Sequence, residues 1–483
     1  MNEELYDRWI APSDAASLEW DSRIAQVKHL REFYLLINVR REHVVQDAFD
    51  QIWQRHRREI SRPLRIRLGE MEGAEIGQDL GGVQIEFFNL VCRELFKEDA
   101  GEQNLNHMYL DLSLIIRLGM FTTDPISSLS YFRPGSLQSL HMFELFGLLV
   151  GLAMYNGITI PVNFPLALYK QLLDIPCDKI HDLQDGWPEI SRSLQAMRNG
   201  AHEGLDYVFP LEANGLLLSI NDTTLDSIRH QANSHADKKG KTIAIHPCEV
   251  SVIDMPGLTQ SDLLSTNTSN ATWPGWTINS PSSGDQSFSQ ENTRQTTNTE
   301  EEIERDQHTI LLNPDNIEDY IADYTAWLTR LSVQPQLTAF LRGFHEAMPP
   351  STIAFFTPRT LKAALEGTST LDVRALRRTT QYAGYRADEP YMQAFWRVVE
   401  AWAPAKQKAL LKFVTAAERV PVTGAGALTF KIHESEEIGD EGLLPTSSTC
   451  FGTLYLPRYK DEETLERKLA TALEFGGVGF GNG

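Results

Sequence analysis

The run from His141 to Asn156 (H-M-F-E-L-F-G-L-L-V-G-L-A-M-Y-N) is apolar on nearly every side of a helix. Such a helix must be covered all round, by lipid or by protein. A membrane span needs about 20 apolar residues, and the apolar stretch Met142 to Tyr155 is shorter and carries Glu144. The run therefore predicts a helix at the centre of a large domain. With 483 residues, 42% of them apolar, the chain has material for a sizeable core and for two or three domains.

A formal net charge of −21 argues against nucleic acid or an anionic membrane as the main partner, since both demand basic surface. The opening residues Met1-Asn2-Glu3-Glu4 have neither the basic region nor the apolar core of a secretory signal. A soluble protein of the cytoplasm, or also of the nucleus, is the expectation, without membrane insertion. Cys92, Cys177, Cys248 and Cys450 stand far apart and form no C-x-x-C pair. Neither a zinc ribbon nor a thioredoxin-like motif is supported, and the expectation is reduced thiols, no metal site and no cofactor. Asn221, Asn267 and Asn270 open N-x-S/T triplets that read as chance matches in such a context.

Along the chain, Ser17 to Arg58 predicts helix, with Leu30, Phe33, Tyr34 and Ile37 on one apolar face. Leu64 to Leu68 alternates with period two and predicts a strand, and from Gly81-Gly82 the chain returns to helix. Composition shifts between Ala232 and Gln307, where Leu258 to Thr299 is rich in Ser, Thr, Asn and Gln; a disordered insertion over 232–307 is expected. Its Trp273 and Trp276 read as a short docking motif or as incidental. Helical period resumes with Ile317, Tyr320, Ile321 and Tyr324 and continues through Phe340 to Phe344. Gly367-Thr368-Ser369-Thr370, small residues between two helical patterns, looks like a hinge. Beyond it comes compact α/β: helices around Phe395-Trp396 and Leu410 to Val414, a strand over Leu428, Phe430 and Ile432, and an acidic loop from Glu434 to Glu441. A strand from Phe451 to Leu456 follows, then a last helix capped by Asp461 with a stripe of Leu465, Leu469, Ala472 and Leu473.

Cys450 falls where a loop enters a strand, a setting that can hold a thiol at a surface on rigid support. A thiol of pKa about 8.5 is only partly thiolate at neutral pH, a fraction that suffices against an already activated thioester. The local pattern does not by itself separate a nucleophile from a buried core cysteine; Cys92, inside Phe88-x-x-x-Cys92-x-x-Leu95, is the plainer core cysteine. A thiol hydrolase would need a histidine base, and His433 is the sole histidine of the last hundred residues.

Leu444-Pro445-x-Ser447-x-Thr449-Cys450-Phe451, then Leu454-x-Leu456-Pro457-x-Tyr459, resembles the active-site signature of HECT-type ubiquitin ligases, as does the glycine-rich end with Phe480 fourth from the terminus. Upstream, Phe413-Val414-Thr415, Arg419-Val420-Pro421, Phe395-Trp396, Phe340-x-x-Gly343-Phe344, Gly147-x-x-x-Gly151 with Asn163-Phe164-Pro165, and Asp79-x-Gly81-Gly82-Val83-x-x-Glu86-Phe87-Phe88 are similar to that family, from Val39-Arg40-Arg41 onward.

The resemblance implies an α+β, bilobal architecture. A helical N-terminal extension would occupy 1–38, a large mostly helical N-lobe 39–366, a hinge 367–370, and a small α/β C-lobe 371–483. It implies a charged ubiquitin-conjugating enzyme, ubiquitin and unknown protein substrates as partners, and a transferase acting in protein ubiquitination ahead of proteasomal degradation. Cys450 would carry the thioester, Phe480 and Thr449 would position the C-lobe, and Tyr169 would sit in the conjugating-enzyme groove, within 157–220. Three places depart from the family pattern: Ser448 stands where many relatives have histidine, Ala416-Ala417 replaces a glycine, and Tyr382-Ala383-Gly384-Tyr385 is one residue short. Those departures motivate a second expectation, a degenerate relative that binds the conjugating enzyme but transfers poorly.

Overall fold

The structure, a computed structural model, describes residues 33–53, 55–69, 82–96, 119–134, 136, 138–213, 216–221, 310–435 and 443–476, with four short strands between 248 and 279. In chain order the main elements begin with β1 (Leu35–Val39), α1 (Val44–Ile52), β2 (Leu64–Leu68), α2 (Gly82–Leu95), β3 (Phe121–Thr123), β4 (Ser130–Phe132) and α3 (Leu140–Tyr155). They continue with α4 (Leu166–Leu172), α5 (Pro188–Arg198), β5 (Val208–Ala213), β6 (Leu216–Asn221), the short strands β7 (Cys248–Glu249), β8 (Ser251–Val252), β9 (Thr272–Trp273) and β10 (Trp276–Asn279), and α6 (Ile317–Thr329). The remainder is α7 (Gln334–Ala347), α8 (Pro358–Glu366), α9 (Val373–Thr379), β11 (Gln381–Ala383), α10 (Pro390–Ala401), α11 (Pro404–Thr415), β12 (Lys431–Glu434), β13 (Thr446–Ser448), β14 (Thr453–Leu456) and α12 (Glu462–Gly476). The chain divides into two compact units. One gathers the residues up to Lys97, Glu144–Asn163 and Phe340 onward; the other gathers Glu98–Phe143 and Phe164–Ala339.

In the first unit β1 and β2 pair in parallel, Leu35 opposite Leu64 and Ile37 opposite Ile66. This corrects the helix expected through Ile37: the strand buries Leu35, Ile37 and Val39, and Phe33, expected on the buried face, is 56% exposed. Burial of such side chains is worth roughly 1.5–3 kcal/mol each, against the few tenths that separate strand from helix propensity, so packing decides. The rest of the N-terminal extension lies outside the described residues. After the strand a 3-10 turn (Arg41–His43) leads into α1 at Val44, whose turns put Val45, Ala48, Phe49 and Ile52 inward.

The apolar run does form a central helix, α3. Its glycines explain how the backbone of α7 comes so close: a Cβ on Gly147 would lie 2.1 Å from the Phe340 carbonyl oxygen, and one on Gly343 would lie 1.8 Å from that of Glu144. Glu144 forks onto the Arg342 guanidinium, so the one acid of the run sits at the helix edge, paired.

The C-terminal part of this unit is a four-stranded sheet, in the order β11-β12-β14-β13, parallel except for β13. Ile432, Leu454 and Leu456 point from its inner face into a core shared with Phe395, Trp396, Leu410, Val414, Leu465 and Leu469. β12 begins at Lys431, so Leu428 and Phe430 precede the strand on which they were expected. Asp461 caps the last helix as expected, accepting from the Thr464 amide at 2.7 Å, and those bonds hold its carboxyl below the usual range.

The second unit carries the β3–β4 hairpin, with Phe121 opposite Phe132. Its aromatic core brings Tyr207 and Phe209 against Tyr320, Tyr324 and Trp327. Trp276 pairs with Trp273 across a two-strand hairpin; the other residues of the polar insertion lie largely outside the described set.

Candidate functional site

Cys450 is the middle residue of a single 3-10 turn, Thr449–Phe451, that joins the antiparallel strands β13 and β14. The strand expected from Phe451 starts two residues later, at Thr453. The cause is Gly452, which takes the left-handed region (φ 56°), where L side chains are strained. A Cβ there would come within 2.1 Å of the Thr429 carbonyl oxygen. The turn closes through the Gly452 amide on the Thr449 carbonyl (3.2 Å), and the Lys431 amide binds the Gly452 carbonyl (2.8 Å). The result is a reactive-residue type at the tip of a short hairpin, with Gly452 tied to β12 by a backbone hydrogen bond. Ser448, at the end of β13, pairs in register with Thr453, and Thr449 is half-buried.

Beside the turn, the outer face of the sheet forms an open cleft of about 520 Å³, lined by Gln381, Lys431, His433, Thr453 and Tyr455 and ending at Phe451. His433 lies opposite Tyr455, further along β14 than the turn. Its Nδ1 is 2.7 Å from the Glu434 carbonyl, to which it donates. A thiol hydrolase gains no support from that placement.

The far end of the sheet is held by tyrosines. Tyr385 donates to the Leu456 carbonyl (2.6 Å), Tyr391 to that of Pro457 (2.7 Å), and Tyr459 to that of Leu443 (2.9 Å), ahead of the turn. Arg458 lies over the Tyr385 ring at 4.6 Å and bonds Glu434. Gly384 packs against Glu434, a Cβ there falling 2.6 Å from that of Glu434, so the shortened glycine pattern still supplies the glycine this contact needs.

Gly367 ends α8 with φ 65° and its amide on the Ala363 carbonyl. Thr368 and Val420 exchange two backbone hydrogen bonds, 2.7 and 3.0 Å. Ser369 and Thr370 lead to Asp372, which caps α9 by accepting from the Ala375 amide. Residues 367–370 thus lie between a stopped helix and a started one. Tyr169, on α4, is fully buried (0% exposed), so any influence it has on a partner runs through packing and not through contact. Phe480 lies outside the described residues.

Cys92 is buried on α2, and burial pushes its thiol up; Cys177 is buried too, and its thiol is pushed up to about 12. Both are core thiols without nucleophilic character. Sequence reasoning passed over Gly452, although a glycine inside a strand pattern signals a break. It also passed over Asn89, a buried amide that donates to the Ala416 carbonyl and that no sequence signal marks. Among the described residues no group of three or more potential metal ligands comes together, and no helix is long and apolar enough to cross a membrane.

The family model described as HECT-domain (ubiquitin-transferase) matches residues 111–483. The chain is 28% identical over 448 residues to a human protein named probable E3 ubiquitin-protein ligase HECTD2, covering 93% of this chain and 46% of that protein. It is 26% identical over 441 residues to human probable E3 ubiquitin-protein ligase HERC4 (91% and 32%). A Neurospora crassa protein named E3 ubiquitin-protein ligase TOM1-like is 28% identical over 461 residues (92% and 9%). The chain therefore spans less than half the length of these curated relatives.

Proposed function

Because this chain belongs to the HECT-domain family of ubiquitin transferases, we propose that it is an E3 ubiquitin-protein ligase that takes ubiquitin from a charged ubiquitin-conjugating enzyme onto Cys450 and passes it to a substrate lysine. In the first step the Cys450 thiolate attacks the carbonyl carbon of the conjugating enzyme's thioester and expels that enzyme's thiolate. The exchange is close to balanced in energy, one thioester replacing another. In the second step a lysine amine, having lost its proton to solvent or a nearby base, attacks the new thioester. An isopeptide bond forms and the Cys450 thiolate leaves.

The observation that carries this reading is the placement of Cys450 at the tip of the β13–β14 turn, beside an open cleft and inside the family signature. A turn at the edge of an open cleft, with Phe451 40% exposed, leaves a side from which two partners can approach in succession, which two-step transfer demands. In the same reading, residues 39–366 and 371–483 are the two lobes, 367–370 the joint between them, and Thr449 and Phe480 position the second lobe. The conjugating enzyme docks within 157–220, the region of Tyr169. The protein works in the cytoplasm or nucleus, and its products are fated for proteasomal degradation.

The test is incubation with activating enzyme, conjugating enzyme, ubiquitin and ATP, followed by a non-reducing gel. A ubiquitin adduct lost on reduction and absent from Cys450→Ala is the expected result. Binding of the conjugating enzyme without an adduct would instead establish the degenerate relative that Ser448 motivates. Phe480→Ala should load normally but modify itself less.

A further inference from the structure

Asn89 takes no part in the chemistry above, yet it is a polar side chain only 6% exposed, and its Nδ2 reaches across 327 residues of sequence to the Ala416 carbonyl. Ala416 closes α11 in the left-handed region (φ 59°), which is uncommon for a residue with a Cβ. The same short run of backbone is held twice more. Arg419 donates from Nη2 to the Val162 carbonyl (3.0 Å), and Val420 is bridged to Thr368 of the joint. Next to this clasp, Thr415, Thr449 and Gly452 close on Gly82 and Ile85 of α2, leaving about 20 Å³ between them, room for one water molecule. The turn that carries Cys450 is therefore packed onto α2, and Asn89 is the buried polar link on that side.

We propose that Asn89 is a positioning residue: with Arg419 it holds the Thr449–Gly452 turn docked on α2, and this docked state is the one in which a lysine discharges the thioester, while loading proceeds with the turn released. The inference rests on the thioester reading of Cys450. Its physical basis is room. Loading brings a second folded protein, with its own cysteine, to the turn, and α2 occupies one flank of it. A lysine side chain is slender and reaches a flanked turn, where a fixed thioester gains from orientation. Removing the Asn89 amide leaves a buried carbonyl without its donor, which shifts the docked equilibrium by about tenfold, equivalent to ~1.4 kcal/mol.

The experiment measures two single-turnover rate constants on the full chain: loading from charged conjugating enzyme, and discharge to free lysine after a chase. Asn89→Ala should lower discharge about tenfold and leave loading unchanged or faster. Asn89→Asp, equal in shape but unable to donate from its carboxylate, should behave as Asn89→Ala does. Arg419→Ala, at a half-buried position, should shift the rates the same way by less. Loss of folded protein would lower both amplitudes and leave the ratio of rate constants unmoved, so a misfolded variant cannot mimic the result. Wild-type discharge in all three variants, or equal slowing of both steps, overturns the role of Asn89. A wild-type chain that forms no thioester overturns the reading of Cys450 itself, and this proposal with it.

Discussion

The C-terminal region from Val373 to Leu469 and the aromatic core of the second unit each centre on a fully buried tryptophan, Trp396 in one and Trp327 in the other, with buried or half-buried tyrosines around it. They spend those tyrosines differently. In the C-terminal region Tyr385, Tyr391 and Tyr459 donate to main-chain carbonyls at the end of β14 and at Leu443, fastening the loop that leads into the Cys450 turn. In the second unit Tyr207 donates to Asp323 (2.8 Å) and Tyr320 to the Val208 carbonyl (3.1 Å), joining segments more than a hundred residues apart across the polar insertion. One set of hydroxyls shapes a site within continuous chain; the other rejoins a domain that the insertion interrupts. The difference teaches that the same residue type fixes a local turn in one place and long-range connectivity in the other.

The largest test of that contrast removes the two tryptophans in turn. Trp396→Ala and Trp327→Ala should each cost about 3–5 kcal/mol, the range for emptying a buried aromatic site. Hydrogen exchange should place the damage locally. Trp327→Ala should expose amides in Leu183–Phe209 and Ile317–Leu331 while Met392–Leu469 stays protected, and Trp396→Ala, which also loses the indole bond to Tyr382 (2.8 Å), should do the reverse. If either variant opens both regions alike, the two cores form one cooperative body and the comparison fails.

Glycines give the next test. Gly452 and Gly204 both have positive φ, 56° and 75°, but a Cβ at Gly204 would meet nothing within 4 Å, whereas at Gly452 it strikes the Thr429 carbonyl. Gly204→Ala should cost about 1 kcal/mol, the backbone strain alone. Gly452→Ala adds a collision and should cost about 2–4 kcal/mol, with thioester loading falling well beyond what its thermal shift explains. Equal costs at the two sites would mean that the turn yields, and that its geometry is not what Gly452 secures.

What was legible in the sequence followed the same divide. The C-terminal helices and the Asp461 cap could be read because their residues lie close together, and the buried helix α3 announced itself by being apolar all round. The turn around Cys450 could be read only as a loop entering a strand, without the strand Thr446–Ser448 before it. The strand at Leu35–Val39 could not be read, because its partner Leu64–Leu68 lies beyond an intervening helix and its side chains also satisfy a helical period. Nor could Asn89 be found: an amide reaching 327 residues along the chain leaves no local pattern. Burial likewise escaped for Tyr169, since a tyrosine on an amphipathic helix reads the same whether its ring faces core or solvent.

The smallest effect is the sharpest probe of the tyrosines. Tyr459→Phe and Tyr207→Phe each delete one hydroxyl and should each cost about 1 kcal/mol, so a thermal melt should hardly tell them apart. Loading should. Tyr459→Phe frees Leu443 at the entry to the turn and should slow thioester formation several-fold, while Tyr207→Phe, tying together segments of the other unit, should leave it alone. High pH probes a third hydroxyl of the same set. Burial pushes the Tyr391 hydroxyl up to about 12, so its folded value lies above that of an unfolded tyrosine, about 10. A raised value contributes stability that is whole below pH 10 and is lost as pH climbs towards 12. Protection of the C-terminal sheet should therefore decline over that interval in the wild type, and the decline should be shallower in Tyr391→Phe. If Tyr207→Phe slows loading as much as Tyr459→Phe does, the hydroxyls of the two regions are doing the same job, and the division between site and scaffold does not hold.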